Sequence, residues 1–122
     1  MSFPFERLDV WHEAIDYAEA VYITTDRYPT EERFELRSQL RRAASSVSAN
    51  IAEGSSRDTV PAKLKYMQDA YGSLMETISH LELSRRRHLI NDEQYRRLYE
   101  RADRIGRMLS GLRRSLKEKT TT

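Results

Sequence analysis

Apolar residues recur along most of the chain in alternating steps of three and four, the period of amphipathic helices. In the first such stretch Leu8, Trp11, Ile15, Ala18, Tyr22 and Thr25 form one seam, widened by Ala14 and Val21. It is predicted to end near Tyr28-Pro29, because a residue before proline is pushed out of the α region. Thr30 then suits an N-cap, with Glu31 and Glu32 in the first turn, where the helix dipole favours anions. The second seam runs through Leu36, Leu40, Ala43, Val47, Asn50 and Gly54, and Gly54 suits a left-handed C-terminal cap. Ser55-Ser56-Arg57-Asp58 reads as loop.

Thr59 is expected to cap the third helix, with Pro61 tolerated in its first turn. Its seam is Leu64, Met67, Tyr71, Leu74, Ile78 and Leu81. Asn91 and Gln94 then have capping-box spacing, flanked by Ile90 and Tyr95 as a hydrophobic staple. The fourth seam is Tyr95, Leu98, Ala102, Ile105, Leu109, Leu112 and Leu116, and Lys117 to Thr122 reads as a frayed tail. The prediction is one all-α domain over residues 1–122, with helices at about 8–27, 31–54, 60–88 and 92–117. Short connections favour an up-down-up-down antiparallel four-helix bundle, and spacing near 3.5 favours shallow crossing angles.

Composition narrows the function classes. In 122 residues there are four Gly and three Pro, too few turn signals for a many-stranded β fold. No apolar run approaches the roughly 18 residues of a membrane span, and no basic region followed by an apolar stretch marks a secretory signal. No membrane association and a cytoplasmic location are therefore expected. With no cysteine, a disulfide framework, a thiolate zinc site and a cysteine nucleophile are excluded. A ferritin-like metal site needs Glu-x-x-His twice. None of His12, His80 and His88 has Glu three residues before it. No glycine-rich phosphate loop and no nucleophile–base spacing is visible, so no cofactor, metal or catalytic residue is expected.

Within the seams, Asn50 is the unusual polar residue, with Glu53 one turn on. The expectation is a buried hydrogen-bond network that fixes helix register or oligomeric state. Ala43-Ala44-Ser45-Ser46-Val47-Ser48-Ala49 would let another helix approach closely, and Gly72 is read the same way, with Trp11 or another aromatic filling its space.

Charge is unevenly spread. Net charge is +2, but residues 1–84 carry −5 and residues 85–122 carry +7. Arg33, Arg37 and Arg41 recur at helical spacing with Arg42 adjacent, and Arg97, Arg101 and Arg104 share one face of the fourth helix. Arg85-Arg86-Arg87 ends the third helix. One expectation is salt-sensitive contact with RNA or DNA phosphates through Arg37, Arg41, Arg42, Arg97, Arg101 and Arg104. The other is a homo-oligomeric protein-interaction scaffold, whose arginines pair between subunits with acidic residues such as Asp9, Glu13 and Asp16, or bind a protein partner. Glu100–Arg104 and Asp103–Arg107 have the spacing of ordinary i,i+4 surface pairs.

Leu8-Asp9-Val10-Trp11, Val21-Tyr22…Tyr28-Pro29, Gln39-Leu40-Arg41-Arg42-Ala43-Ala44, Asn50-Ile51-Ala52-Glu53-Gly54 and Ala70-Tyr71-Gly72-Ser73-Leu74-Met75-Glu76 together resemble the family of proteins encoded in intervening sequences of bacterial 23S ribosomal RNA genes. The resemblance covers roughly residues 5–116. It implies a four-helix bundle and, through structural relatives, a ring-shaped homopentamer, but no firm activity. The accessory proteins of diversity-generating retroelements are similar in fold. They are pentameric and basic and work with a reverse transcriptase and nucleic acid, a likeness at the level of fold.

Overall fold

The computed structural model describes residues 2–32 and 35–120. A 3₁₀ turn, Pro4–Arg7, leads into α1, Asp9–Thr25, and a second, Thr30–Glu32, precedes α2, Leu36–Ser55. Helices α3, Val60–Arg86, and α4, Asp92–Thr120, complete the bundle, and the described residues form no strand. Contacts run α1–α2–α3–α4 and back to α1. The α2–α3 pair is the most extensive and α1–α4, joined by no connection, the least. Four helices in antiparallel succession, as the periodicity predicts, enclose one core centred on Tyr17, Leu40, Ile51, Met67, Leu74, Leu81, Ile105 and Leu109.

The rotation of two helices differs from the predicted seams. In α1 the buried residues are Val10, Ala14, Tyr17, Ala18, Val21 and Thr25, while Ile15 and Tyr22 remain 40% and 43% exposed. In α3 the buried set is Met67, Ala70, Leu74, Thr77, Leu81 and Ser84, leaving Tyr71 and Ile78 on a flank. Both helices carry an apolar stripe wider than one contact face covers, so period alone leaves their rotation open. The burial of Tyr17 and Thr77 is satisfied by a 2.7 Å hydrogen bond between their hydroxyls. Because Thr77 donates to the Leu74 carbonyl at 2.6 Å, Tyr17 is the donor to Thr77. Burial pushes the Tyr17 phenol up to about 12.

The helix ends combine expected caps and unexpected turns. Thr59 accepts from the Ala62 amide, and Asn91 and Gln94 exchange side-chain bonds with each other's amides at 2.8 and 2.9 Å. Thr30, by contrast, opens a 3₁₀ turn instead of capping α2, which begins at Leu36. The carboxylate of buried Glu32 accepts from Arg87, at the end of α3, at 2.7 Å, and this pull holds the segment off the α2 axis. At the end of α3, His88 adopts φ 62°. Its amide donates to the Arg85 carbonyl and the Leu89 amide to Ser84, closing a Schellman motif on a residue other than glycine. Helix α4 continues to Thr120, so Lys117–Thr120 is helical where a frayed tail is expected, and residues 121–122 lie outside the described part.

Gly54 is not a left-handed cap. It is helical, and no glycine of the described residues has positive φ. Its role is approach: a Cβ there would stand 2.8 Å from Tyr66 Cβ and 2.9 Å from Met67 Cε across the α2–α3 contact. Gly72 is the reverse case, since a Cβ there meets nothing within 4 Å. Trp11 packs instead on Phe5, with ring centroids 4.7 Å apart.

Overpacking costs about 1–3 kcal/mol, while replacing a mid-helix glycine by alanine contributes about 1 kcal/mol. Gly54→Ala is therefore expected to lower stability and Gly72→Ala to raise it by about 1 kcal/mol. Urea denaturation of both variants checks this, and equal shifts of one sign would contradict the assigned roles.

Candidate functional site

The six arginines singled out from the sequence do not form one open basic face. Arg41 is the most committed. Its guanidinium donates to Thr25 Oγ1 at 2.8 Å, to the Tyr22 carbonyl at 3.1 Å and to Asp26 at 2.6 Å, and it lies over the Tyr22 ring. It braces the C-terminal turn of α1, where the Tyr22 carbonyl also accepts from the Asp26 amide. Arg42 reaches across to Glu76 on α3 at 3.0 Å. Arg104 pairs with Glu13 on α1 at 3.1 Å, so this member of the predicted acidic stripe is met within the same chain. Arg107 pairs with Asp103 as its spacing implies, whereas Glu100 is taken by Arg96 and not by Arg104.

Three of the six are less engaged. Arg37 makes no ion pair or hydrogen bond among the described residues. Arg97 stands 3.9 Å from Glu93, and Arg101 reaches only the Asp16 carbonyl at 3.5 Å. Arg33 lies outside the described residues. At the end of α3, Glu82 gathers Arg85 and Arg86 at 2.8 and 2.7 Å, and Arg85 extends to Asp92. Those guanidinium hydrogen bonds bring the Glu82 carboxyl down to about 2.

Asn50 is half-buried at the α2–α3 contact. Its amide donates to the Ser46 carbonyl at 2.9 Å and to Ser46 Oγ at 3.0 Å, and Ser73 of α3 also donates to Ser46 Oγ. The polar network is thus Asn50–Ser46–Ser73, and the serines of the small-residue run supply it. Glu53 stays outside it, paired with Arg57 at 2.7 Å. Among the described residues no group of three or more His, Asp or Glu side chains is suited to hold a metal ion. His12 bonds the Glu6 carbonyl and His80 lies 3.3 Å from Glu76.

Two surface depressions of the described residues flank the middle of α4. One, of about 600 Å³, runs between α3 and α4 and is lined by Tyr71, Met75, Ile78, Tyr99, Ala102 and Gly106, with Arg107 and Arg114 at its rim. Met75 and Tyr99 are exposed there, and Gly106 keeps the groove deep because it places no side chain against Tyr71 and Leu74. The other is the cleft between α1 and α4. Its middle is bordered by Glu13, Asp16, Glu19 and Glu100 together with Arg97, Arg101 and Arg104, and its end by Arg27 with the same Arg97 and Arg101. Arg27 carries no sequence signal beyond its charge, since it stands alone in the chain, and only the fold brings it to the others.

Residues 6–111 match the family model of the 23S rRNA-intervening sequence protein. The chain belongs to the 23S rRNA-intervening sequence protein family. Among curated proteins none matches it. One solved structure that it is similar to is a protein of unknown function from the S23 ribosomal protein family of Bacteroides thetaiotaomicron. The two are 22% identical, with a TM-score of 0.77, over 85% of this chain and 97% of the other, a likeness of fold alone. Neither comparison indicates a catalytic family. As a member of the intervening-sequence family, the chain keeps its motif residues Arg41, Arg42, Asn50 and Glu53 in structural contacts at the seams of α2.

Arg41→Ala is expected to cost about 1–2 kcal/mol, since it strips partners from the end of α1. Asp26→Ala is expected to stay within about 0.5 kcal/mol because that carboxylate is 71% exposed. Thermal denaturation separates the two. Glu82, depressed from 4.5 to about 2, contributes stability that is present above pH 4.5 and lost as pH falls toward 2. Glu82→Gln should flatten that segment of the stability–pH curve, and an unchanged acid limb would show that Glu82 is not its source.

Proposed function

We propose that this protein is a non-catalytic helical scaffold that self-associates, joining the exposed apolar side of α1 to the α3–α4 groove of a second copy. The observation that carries the reading is the pair of apolar stripes left over once each bundle has filled its own core. Ile15 projects from α1 beside Tyr22, whose ring is partly covered by Arg41, while Tyr71, Met75, Ile78 and Tyr99 line the groove between α3 and α4. These patches lie on different sides of the bundle. Joining unlike patches is a heterologous contact, and repetition of it closes a ring when the rotation allows. The ring-shaped homopentamer suggested by the family resemblance is of this type.

The charge distribution supports the same reading. Arg41, Arg42 and Arg104 are occupied by carboxylates of their own chain, which leaves Arg37, Arg97 and Arg101 of the six arginines less engaged. Association through the groove would depend on apolar burial and would tolerate salt, unlike a contact built on inter-subunit ion pairs.

Light scattering on the purified protein tests the proposal. The wild type should be an oligomer whose mass is unchanged between low and high salt. Met75→Glu and Tyr99→Glu, both at exposed positions, should yield folded species of monomer mass with unaltered helical content. A monomeric wild type, or an oligomer indifferent to both substitutions, would overturn it.

A further inference from the structure

We infer that the arginine end of the α1–α4 cleft is a binding site for a phosphate group, distinct from the self-association surfaces. This end, about 340 Å³ in volume, is formed where the last turn of α1 and the residues just beyond it meet the first turns of α4. Arg27, Arg97 and Arg101 converge there with Thr24, Gln94 and the apolar Ile23, and no carboxylate is among the lining residues. The carboxylates Glu13, Asp16, Glu19 and Glu100 border the adjoining middle of the cleft, which Arg97 and Arg101 also line, and there Arg104 is the cation that Glu13 takes.

The weak engagement of these three arginines contrasts with most of the others, although Arg7, Arg37, Arg113 and Arg114 also make no ion pair among the described residues. Across the bundle, Arg41, Arg42, Arg57, Arg85, Arg86, Arg87, Arg96, Arg104 and Arg107 each have a carboxylate oxygen within 3.2 Å. In the cleft, Arg27 makes no ion pair or hydrogen bond among the described residues, Arg97 has Glu93 at 3.9 Å, and Arg101 has one carbonyl at 3.5 Å. Three guanidiniums held near one another repel, and that repulsion is relieved by an anion with several acceptor oxygens. Phosphate fits this better than a carboxylate does, because it offers more oxygens to three planar donors. Thr24 and Gln94 add neutral hydrogen-bonding groups, and Ile23, 64% exposed, offers an apolar wall to whatever carries the phosphate. The source of the group is either a small phosphorylated molecule or the backbone of a single-stranded nucleic acid.

Titration of the full-length protein with pyrophosphate and with a labelled single-stranded RNA oligonucleotide, each at several salt concentrations, distinguishes the sources. Binding of pyrophosphate alone assigns the site to small phosphates. Binding of the RNA with a log–log salt slope near −2, as expected for about three phosphate contacts on a single strand, assigns it to a backbone. In either case Arg27→Gln and Arg101→Gln should each weaken binding about tenfold. Arg7→Gln, an exposed arginine of the Pro4–Arg7 turn, should change it less than about twofold. Light scattering on the same variants should show unchanged mass, which separates this site from the scaffold reading. No binding of either probe at low salt overturns the inference, as does binding that Arg7→Gln weakens as much as the cleft variants do.

Discussion

The bundle depends first on how closely α2 can lie against α3. At Gly54 there is no room for a single additional carbon, and earlier in α2 Ala43, Ala44 and Ser48 keep its buried side low. Small side chains let two backbones approach, and the approach then fixes which polar groups meet. Ser46 and Asn50 find Ser73, and Arg42 finds Glu76. Consecutive helices are tied by short connections, whereas α1 and α4 meet with no segment between them. The tight α2–α3 contact and the loose α1–α4 contact are thus opposite sides of one arrangement, and the cleft opens on the loose side.

The second organising feature is the division of the arginines. Most serve the chain itself: they close helix ends, bridge neighbouring helices or sit four residues from a carboxylate on the same helix. Arg41 at the end of α1 and Arg87 against Glu32 do structural tasks that a stripe of positive charge in the sequence does not reveal. Part of the +7 excess over residues 85–122 is offset by carboxylates from outside that segment, since Glu82 takes Arg85 and Arg86, Glu32 takes Arg87 and Glu13 takes Arg104. What is left is local, and it takes the fold to show where.

Much of the architecture can be read from the residues alone. The four helices follow from period, and the caps at Thr59 and Asn91 follow from side chains whose oxygens bind nearby amides. Rotation of α1 and α3 does not follow, because Ile15, Tyr22, Tyr71 and Ile78 are as apolar as the residues that are buried. The left-handed His88 has no local signature, since glycine or asparagine is the usual occupant of that position. Gly54 and Gly72 look alike in sequence, yet one is required by a neighbour and the other faces open space. Of the cleft arginines, Arg97 and Arg101 are found by their spacing, while Arg27 lies 70 residues away from Arg97 and is joined to it only by the antiparallel return of the chain.

The contact between Glu32 and Arg87 has an effect that reaches beyond its two residues. The α1–α2 and α3–α4 connections lie at the same end of an up-down-up-down bundle, and this ion pair staples them together with one carboxylate almost wholly shielded from water. Opening either corner exposes that carboxylate and strands its guanidinium. Both corners are thereby joined through one shielded ion pair, whereas at the far end the α2–α3 corner turns alone, secured by the close packing at Gly54.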